Sequence, residues 1–537
     1  MKEKHIWWKH GVIYQIYPRS FYDSNNDGIG DIKGITLKLD YLKELGISGI
    51  WISPFYKSPK YDFGYDISDY RSIDPDFGTE KDFKELIKEA HKRKIHIILD
   101  MVINHTSHQH PWFIDSSSSR QSAKNDWYLW VDGKKGKFPN NWMSAFGGHA
   151  WHWSIERQQY YLHLFLKEQP DLNWRNPDVQ KAVFSDIEFW LKLGVDGFRL
   201  DVINYIVKDK DFKNNPYFLH KTKPRRHDLQ HHQHDRNQPE THIILKKLRK
   251  LMGNYGETML VGEVYPDEDV MKPEIPASYL GNGKDELHLA FDFSTIFAKF
   301  SAKCFRKMLT RWYHAIPQDG WPCHVLSNHD KSRAISRLAK GNTDKAKLLM
   351  TLLLTQYGTP FLYYGEEIGM TDVPIKRKDI VDPPGKQYWP FYKGRDGVRT
   401  PMQWNSKKNA GFSNSKPWLP VSKDSVHINV KYQYDKHDSM LNYTKALIRL
   451  RQTLTSLNRG SINFESSHSS VLAYSRTHQS ESVMILLNFS RFKKSYNLPS
   501  NDYHIVLNSL ITNTTIAVRN NIVLQPYQAL IIKKENS

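Results

Sequence analysis

Carboxylates, histidines and an arginine recur at one kind of place in this sequence, the downstream end of a short apolar run. Asp100-Met101-Val102-Ile103-Asn104-His105 closes one run and Gly197-Phe198-Arg199-Leu200-Asp201 another. Gly262-Glu263-Val264 closes a third, and Ser327-Asn328-His329-Asp330 a fourth. A lone acid at a strand end is usually a turn or helix cap. Three acids ending separate runs (Asp201, Glu263 and Asp330), with Arg or His beside two of them, are hard to obtain for structural reasons alone. Paired carboxylates suit chemistry at an acetal carbon, as in glycosidic bond cleavage. One attacks or activates water, and the other, kept protonated, gives its proton to the leaving oxygen. Arg199 lies two residues before Asp201, so on a strand both point to the same side. The guanidinium is therefore expected to hold Asp201 ionised and oriented.

Such side chains need a scaffold that brings strand ends together. Val12–Tyr17, Ile47–Ser53 and Ile95–Val102 are β-branched runs of the length of buried strands. Between them, Ile35, Leu39, Leu42 and Leu45, then Phe83, Leu86, Ile87 and Ala90, repeat at helical spacing. The alternation returns at Val195–Asp201, Met259–Val264, Leu287–Phe293, His324–Ser327 and Thr359–Tyr364. Strand-helix alternation implies parallel pairing, and eight such units imply an α/β fold, a closed (β/α)8 TIM barrel with its site at the C-terminal strand ends. The stretch after the third strand is too long for an ordinary loop. The expected organisation is a barrel over 1–104 and 179–458, an inserted subdomain B over 105–178, and a C-terminal all-β domain over 459–537.

Composition excludes several classes. With 16 Trp, 29 Tyr and 25 Phe the chain can bury a large core, so global disorder is excluded. No apolar run approaches the ~20 residues a membrane span needs. Met1–His10 is charged and Trp-rich, without the apolar core of a secretory signal, so a cytoplasmic enzyme without membrane attachment is expected. Two cysteines, Cys304 and Cys323, allow one bridge but no disulfide scaffold and no Cys-rich metal site. The net charge of +19 could draw nucleic acid. The basic residues are scattered in short pairs, however, and no nucleic-acid-binding motif accompanies them, so they read as a solvated surface.

The four stretches Asp100–His105, Gly197–Asn204, Gly262–Val264 and Leu326–Asp330, in this order, resemble the hallmark motifs of the α-amylase clan of retaining glycoside hydrolases. The likeness is to its α-glucosidase and oligo-1,6-glucosidase branch and covers almost the whole chain. It implies Asp201 as nucleophile, Glu263 as general acid/base and Asp330 as the third acid, with His105, His329 and Arg199 binding the −1 glucose or orienting the acids. Tyr61–Asp66 resembles the family segment in which Tyr65 stacks on the −1 sugar and Asp62 binds its outer hydroxyls. The resemblance pairs Asp62 with Arg395, in preference to Arg399, and that pair makes a pocket for an exo-acting enzyme. Gln169-Pro170-Asp171-Leu172-Asn173 is similar to the stretch marking this branch, and Phe165 before it is expected to wall the sugar site. Val at the position of Val202 accompanies α-1,6 preference in the family, whereas Asp235–His242 and Gly385–Lys393 resemble enzymes of varied linkage.

Asp23, Asn25, Asp27, Ile29 and Asp31 place oxygen donors at alternating positions with Gly28 at the sixth, as in the first nine positions of an EF-hand loop. The twelfth position is Gly34, so the bidentate Glu is missing. Similar loops in this family bind a structural Ca²⁺, and no organic cofactor is expected. His227, His231, His232 and His234 lack a regular ligand register and read as a loop at the substrate rim. The expected activity is a retaining, exo-acting α-glucosidase on short oligosaccharides, leaning to α-1,6 linkages, as a monomer or weak homodimer. Transglucosylation or isomerisation by the same acids is the alternative. A phosphorylated disaccharide would suit the positive charge, but the sequence offers no phosphate cradle. A catalytically dead binding subunit would have lost acids that are present here.

Overall fold

Every second residue of each barrel strand faces inward, and this period of two carries the inner face from apolar to charged. In the computed structural model, Ile98 is followed two residues on by Asp100, Gly197 by Arg199 and then Asp201, and Val261 by Glu263. The structure describes residues 4–218, 225–265, 272–499, 502–510, 517–518 and 521–534.

The strands are β1 (Ile13–Ile16), β2 (Gly49–Ile52), β3 (His96–Met101), β4 (Gly197–Leu200), β5 (Met259–Gly262), β6 (Leu289–Ala290), β7 (Cys323–Val325) and β8 (Thr359–Tyr363). They pair in the order β6-β5-β4-β3-β2-β1-β8-β7, all parallel. A parallel bridge between Phe291 and Cys323 closes the ring. Ile13, Trp51, Ile98, Met259, Val261, Phe291, Val325 and Phe361 fill the interior as one buried cluster. The outer strand faces, with Ile50, Leu99, Phe198 and Leu200, pack under the surrounding helices.

Those helices are α1 (Leu39–Leu45), α2 (Glu80–Lys92), α3 (Pro177–Lys192), α4 (Glu240–Met252), α5 (Glu274–Ser278), α6 (Ala302–Ala315), α7 (Thr343–Thr355) and α8 (Met440–Thr453). The stripe Ile35 to Leu45 forms two short helices and not one: Ile32–Leu37 ends at Lys38, whose φ of −106° and ψ of 6° break the register before α1. In α2 the expected face is buried, and a capping box between Thr79 and Asp82 starts the helix. α7 is apolar nearly all round because it is buried against α8 and the C-terminal sheet.

The long connection from β3 to α3 carries helix Pro111–Ser118 and a three-stranded antiparallel sheet (Trp130–Asp132, Gln159–Leu162, Trp151–Ser154). α3 starts at Pro177 with Asn176 as its cap, two residues inside the expected end of the insertion. Beyond α8 an antiparallel sheet runs through Ser461–Phe464, Val471–His478, Glu481–Asn488, Ala529–Lys534, Tyr503–Asn508 and Ala517–Val518. Among the described residues no helix is long and apolar enough to cross a membrane. Cys304 and Cys323 are free thiols.

Candidate active site

Strand register assembles the chemistry. Arg199 in β4 lies opposite Asp100 in β3 and Val261 in β5, so the residues ending β4 and β5 emerge side by side. Arg199, 1% exposed, binds three carboxylates. Its Nη1 donates to Asp100 Oδ1 and Asp201 Oδ1, each at 2.7 Å, and its Nη2 donates to Glu263 Oε2. The Trp51 ring lies 5.0 Å from the guanidinium, and its indole N–H donates to Asp100 Oδ2 at 3.1 Å. Asp100 is the member of this cluster that the sequence reading left without a role. Its signal was present, since it opens the same hallmark stretch that ends in His105.

Three carboxylates around one guanidinium change the charge expected at Asp201. Burial pushes its carboxyl well above the ordinary range; Arg199 opposes this, while Glu263 and Asp100 add to it. Asp100 is likewise raised by burial, to about 6, against the pull of Arg199. Arg199 thus contacts Asp201 as expected, but its pull on that carboxyl is outweighed by burial and by the two neighbouring acids. An attacking carboxylate must be ionised, and a raised group ionises only at higher pH. The acid limb of kcat/KM is therefore expected above the usual aspartate range. Asp100→Asn removes one negative neighbour and should move that limb to lower pH. A limb near the ordinary aspartate value in the unmodified enzyme would show that the carboxylates titrate independently.

Asp330 follows β7 and sits in the opposite electrostatic setting. Burial pushes its carboxyl up, but His329, Arg395 and Arg399 outweigh that and hold it far below the usual range. Arg399 Nη2 donates to its Oδ1 at 2.7 Å and Arg395 Nη1 at 3.3 Å. Arg395 also donates to Asp62 Oδ1 at 2.7 Å and holds Asp382 at 2.6 Å. The expected Asp62–Arg395 pair is therefore in place, and Arg399, the alternative partner, holds Asp330 instead. Burial raises Asp62 despite Arg395 and Arg399.

His329 is fixed on both ring nitrogens. Gln15 donates to Nδ1 at 2.7 Å, which places the proton on Nε2, 2.6 Å from the Tyr65 hydroxyl. Tyr65 stacks on His329 with rings 6° from parallel and donates to Asp100 Oδ2 at 3.1 Å. Burial pulls His329 and His105 down to about 3, so both are neutral at working pH. The Gln169–Asn173 stretch is built into this wall. The Gln169 amide reaches His105 Nε2 at 3.1 Å and Asp62 Oδ2 at 3.4 Å, and Asp171 pairs with the buried Lys208 at 2.6 Å.

These groups surround a cavity of about 530 Å³. Asp62, Tyr65, His105, Phe165, Asp201, Val202, Glu263, Asp330 and Arg395 line it. Arg199 and His329 stand behind that lining, in contact with the acids. Val202 has φ +37°, a left-handed conformation that costs a β-branched residue ~1–3 kcal/mol, next to the acid of the β4 end. Of the four loop histidines, His227 and His232 line the cavity. Their ring nitrogens are taken by Asp228, Arg236, Asp235 and the His227 carbonyl, which leaves none for a metal. Arg236 and Tyr392, from the two stretches likened to enzymes of varied linkage, also line it, while Arg225, Asp228, Tyr265, Phe297 and Lys331 do so and escaped the sequence reading, because they come from connections without a periodic pattern.

The Asp23–Asp31 loop lies between β1 and α1, away from this cavity. Asp23 accepts from the backbone of Asn25, Asn26 and Gly28, Asn25 from Asp27, and Asp27 from Ile29. Asp31 caps the following helix by accepting from Gly34 N–H at 2.6 Å. Gly28 has φ +96°, and a Cβ there would stand 2.2 Å from the Lys416 carbonyl oxygen. The donors are all oxygen, and burial, with the charge of Asp23 adding, raises the Asp31 carboxyl. That chemistry suits a hard cation. Among the described residues, however, no three His, Cys, Asp or Glu side chains converge as a ready-made metal centre.

Comparison with known proteins places this geometry. Residues 15–460 match the alpha-amylase family, described as alpha amylase, catalytic domain. A protein of Rhizobium meliloti (strain 1021) named "Probable alpha-glucosidase" is 43% identical over 505 residues, 92% of this chain and 91% of that one. The oligo-1,6-glucosidase of Parageobacillus thermoglucosidasius is 39% identical over 568 residues, 98% and 99% of the two chains. The solved structure of the alpha-glucosyl transfer enzyme XgtA superposes with a TM-score of 0.92 at 38% identity, covering 99% of this chain and 100% of that one. With the closed parallel barrel, the shared guanidinium and the acids at its strand ends, these matches establish that the chain belongs to the α-amylase family, as a glycoside hydrolase of its α-glucosidase branch.

Proposed function

We propose that this enzyme releases glucose from the nonreducing end of short α-gluco-oligosaccharides with net retention. The observation that carries the exo-acting part is the Asp62–Arg395 pair, which bounds the cavity with a buried, fully engaged ion pair. Asp201 attacks the anomeric carbon and the bond to the leaving oxygen breaks as Glu263 supplies its proton. Water then attacks the glucosyl ester, and Glu263 takes back a proton. Asp330, ionised between two arginines, and Asp62 accept hydrogen bonds from the ring hydroxyls. One guanidinium holding both Asp201 and Glu263 supports the shorter carboxylate spacing of double displacement, about 5–5.5 Å.

The shape of Val202 beside the nucleophile supports α-1,6 preference. Transfer to a sugar in place of water is the second reading, supported by aromatic faces at Tyr265, Phe297 and Tyr392 that can hold an acceptor. Initial rates and product anomer on isomaltose, maltose, sucrose and trehalose test these readings. Isomaltose well above maltose, with α-glucose as first product, is the expected result. Maltose or sucrose winning would overturn the linkage preference, and a new oligosaccharide in place of free glucose would favour transfer. A Ca²⁺ held by Asp23, Asn25, Asp27, the Ile29 carbonyl and Asp31 would act on stability alone. Added Ca²⁺ is then expected to raise Tm by a few degrees and a chelator to reverse it. An unchanged Tm would remove the ion from this account.

A further inference from the structure

The cavity lining holds cations beyond those that serve the acids, and they are not equally matched. Arg225 forks onto both oxygens of Asp228, at 2.9 Å each. Arg236 lies 3.4 Å from Asp235 and over the Tyr205 ring. Lys331 has no carboxylate partner and no side-chain hydrogen bond among the described residues. Its ammonium stands 4.9 Å from the Tyr265 ring centre and 5.3 Å from that of Phe297. Ring faces attract a cation but accept no conventional hydrogen bonds, so three strong donors are left facing the cavity.

Its position fixes which part of a substrate it would meet. Lys331 follows Asp330 in sequence, and the ring beneath it, Tyr265, follows Glu263 by two residues. Glu263 and Asp330 are both among the charges that act on it. It also stands over Tyr265 and Phe297, the faces that can hold an acceptor, which places it on the leaving-group side, whereas Asp62 and Arg395 serve the glucose being transferred. Burial pulls the ammonium down from its ordinary value, with Tyr392 and Asp330 opposing. An anion brought by the substrate would offset that desolvation. A compact point charge on a flexible stem suits phosphate or carboxylate alike.

We propose that Lys331 binds a negatively charged substituent, phosphate or carboxylate, on the leaving group, so that this enzyme prefers α-glucosides whose aglycone is anionic. This rests on the glucosidase reading above and deepens it to a substrate class. The net charge of +19 would help to draw such substrates in.

Aryl α-glucosides test it without reference to linkage. The probes are 4-nitrophenyl (neutral), 4-carboxyphenyl and 4-phosphophenyl (anionic) and 4-trimethylammoniophenyl (cationic) α-glucosides, all assayed by glucose release. Their different leaving abilities are cancelled by comparing each variant's rate profile with that of the unmodified enzyme. Lys331→Met is expected to lower kcat/KM for the anionic probes about tenfold relative to the neutral one. Lys331→Arg should keep most of the preference, and Lys331→Glu should shift it toward the cationic probe. Whichever anionic probe loses more identifies carboxylate or phosphate as the natural group. An equal fall on all four probes would assign Lys331 to neutral hydroxyls or to packing and overturn the proposal. If Lys331→Met is inactive, a Lys331→Glu profile parallel to that of the unmodified enzyme overturns it equally. If the unmodified enzyme cleaves none of the four, the glucosidase reading itself fails, and this inference falls with it.

Discussion

Asp201→Gly is expected to lower kcat on an aryl α-glucoside by roughly 10⁴-fold or more, the scale of losing a covalent nucleophile. The informative part is the product when azide is added. Removing the Asp201 carboxylate leaves space on the ring face from which it attacks, so azide enters there and β-glucosyl azide forms. Glu263→Gly retains the nucleophile, and an aryl leaving group that needs little protonation still gives the glucosyl ester. Azide then displaces Asp201 from the other face and α-glucosyl azide results. Opposite anomers from the two variants would establish the division of labour between carboxylates that share one arginine. The same anomer from both would overturn it. Arg199 is a poor choice for this test. Its removal leaves Asp100, Asp201 and Glu263 buried without their common counter-charge, a loss of ~3–5 kcal/mol that would confuse folding with catalysis.

Breaking the Asp62–Arg395 pair is the second large effect. Asp62→Asn keeps the volume but removes the charge that accepts from sugar hydroxyls. The loss of about 3 kcal/mol from charged hydrogen bonds corresponds to about 10²-fold in kcat/KM. Arg395→Lys should cost more, because that guanidinium also holds Asp330 and Asp382. The double variant is expected to fall short of the product of the two single effects, since they share one interaction. Product size supplies an independent readout. With the pair intact, glucose is expected as the sole first product from a glucan of several units. With the pair broken, longer fragments should appear. Glucose alone from every variant would show that other groups close the cavity.

How much of this was legible depended on whether the information was local. Strand period, the acids at strand ends and the buried face of α2 are set by neighbouring side chains, and each reappears in the structure within a few residues. The single stripe Ile35 to Leu45 was misread because hydrophobic spacing survives a break at Lys38 that only backbone angles reveal. The Asp62–Arg395 pair, 333 positions apart, was expected through resemblance alone, since no spacing rule reaches that far.

By itself, the sequence determined the barrel, the order of its units and the placing of acids at its strand ends, because period-two and helical patterns are properties of consecutive residues. Only the tertiary structure decided the charges. Burial lifts Asp201 and Asp100, and the strand register that sets Asp100 beside Arg199 divides among three carboxylates the one guanidinium that opposes it. Likewise, Asp330 stays ionised because two arginines from the connection after β8 fold over it. Lys331 is set between the Tyr265 and Phe297 rings by the fold, and among the described residues no carboxylate pairs with it. Electrostatic free energy depends on distance and burial in space, and neither can be counted along a chain.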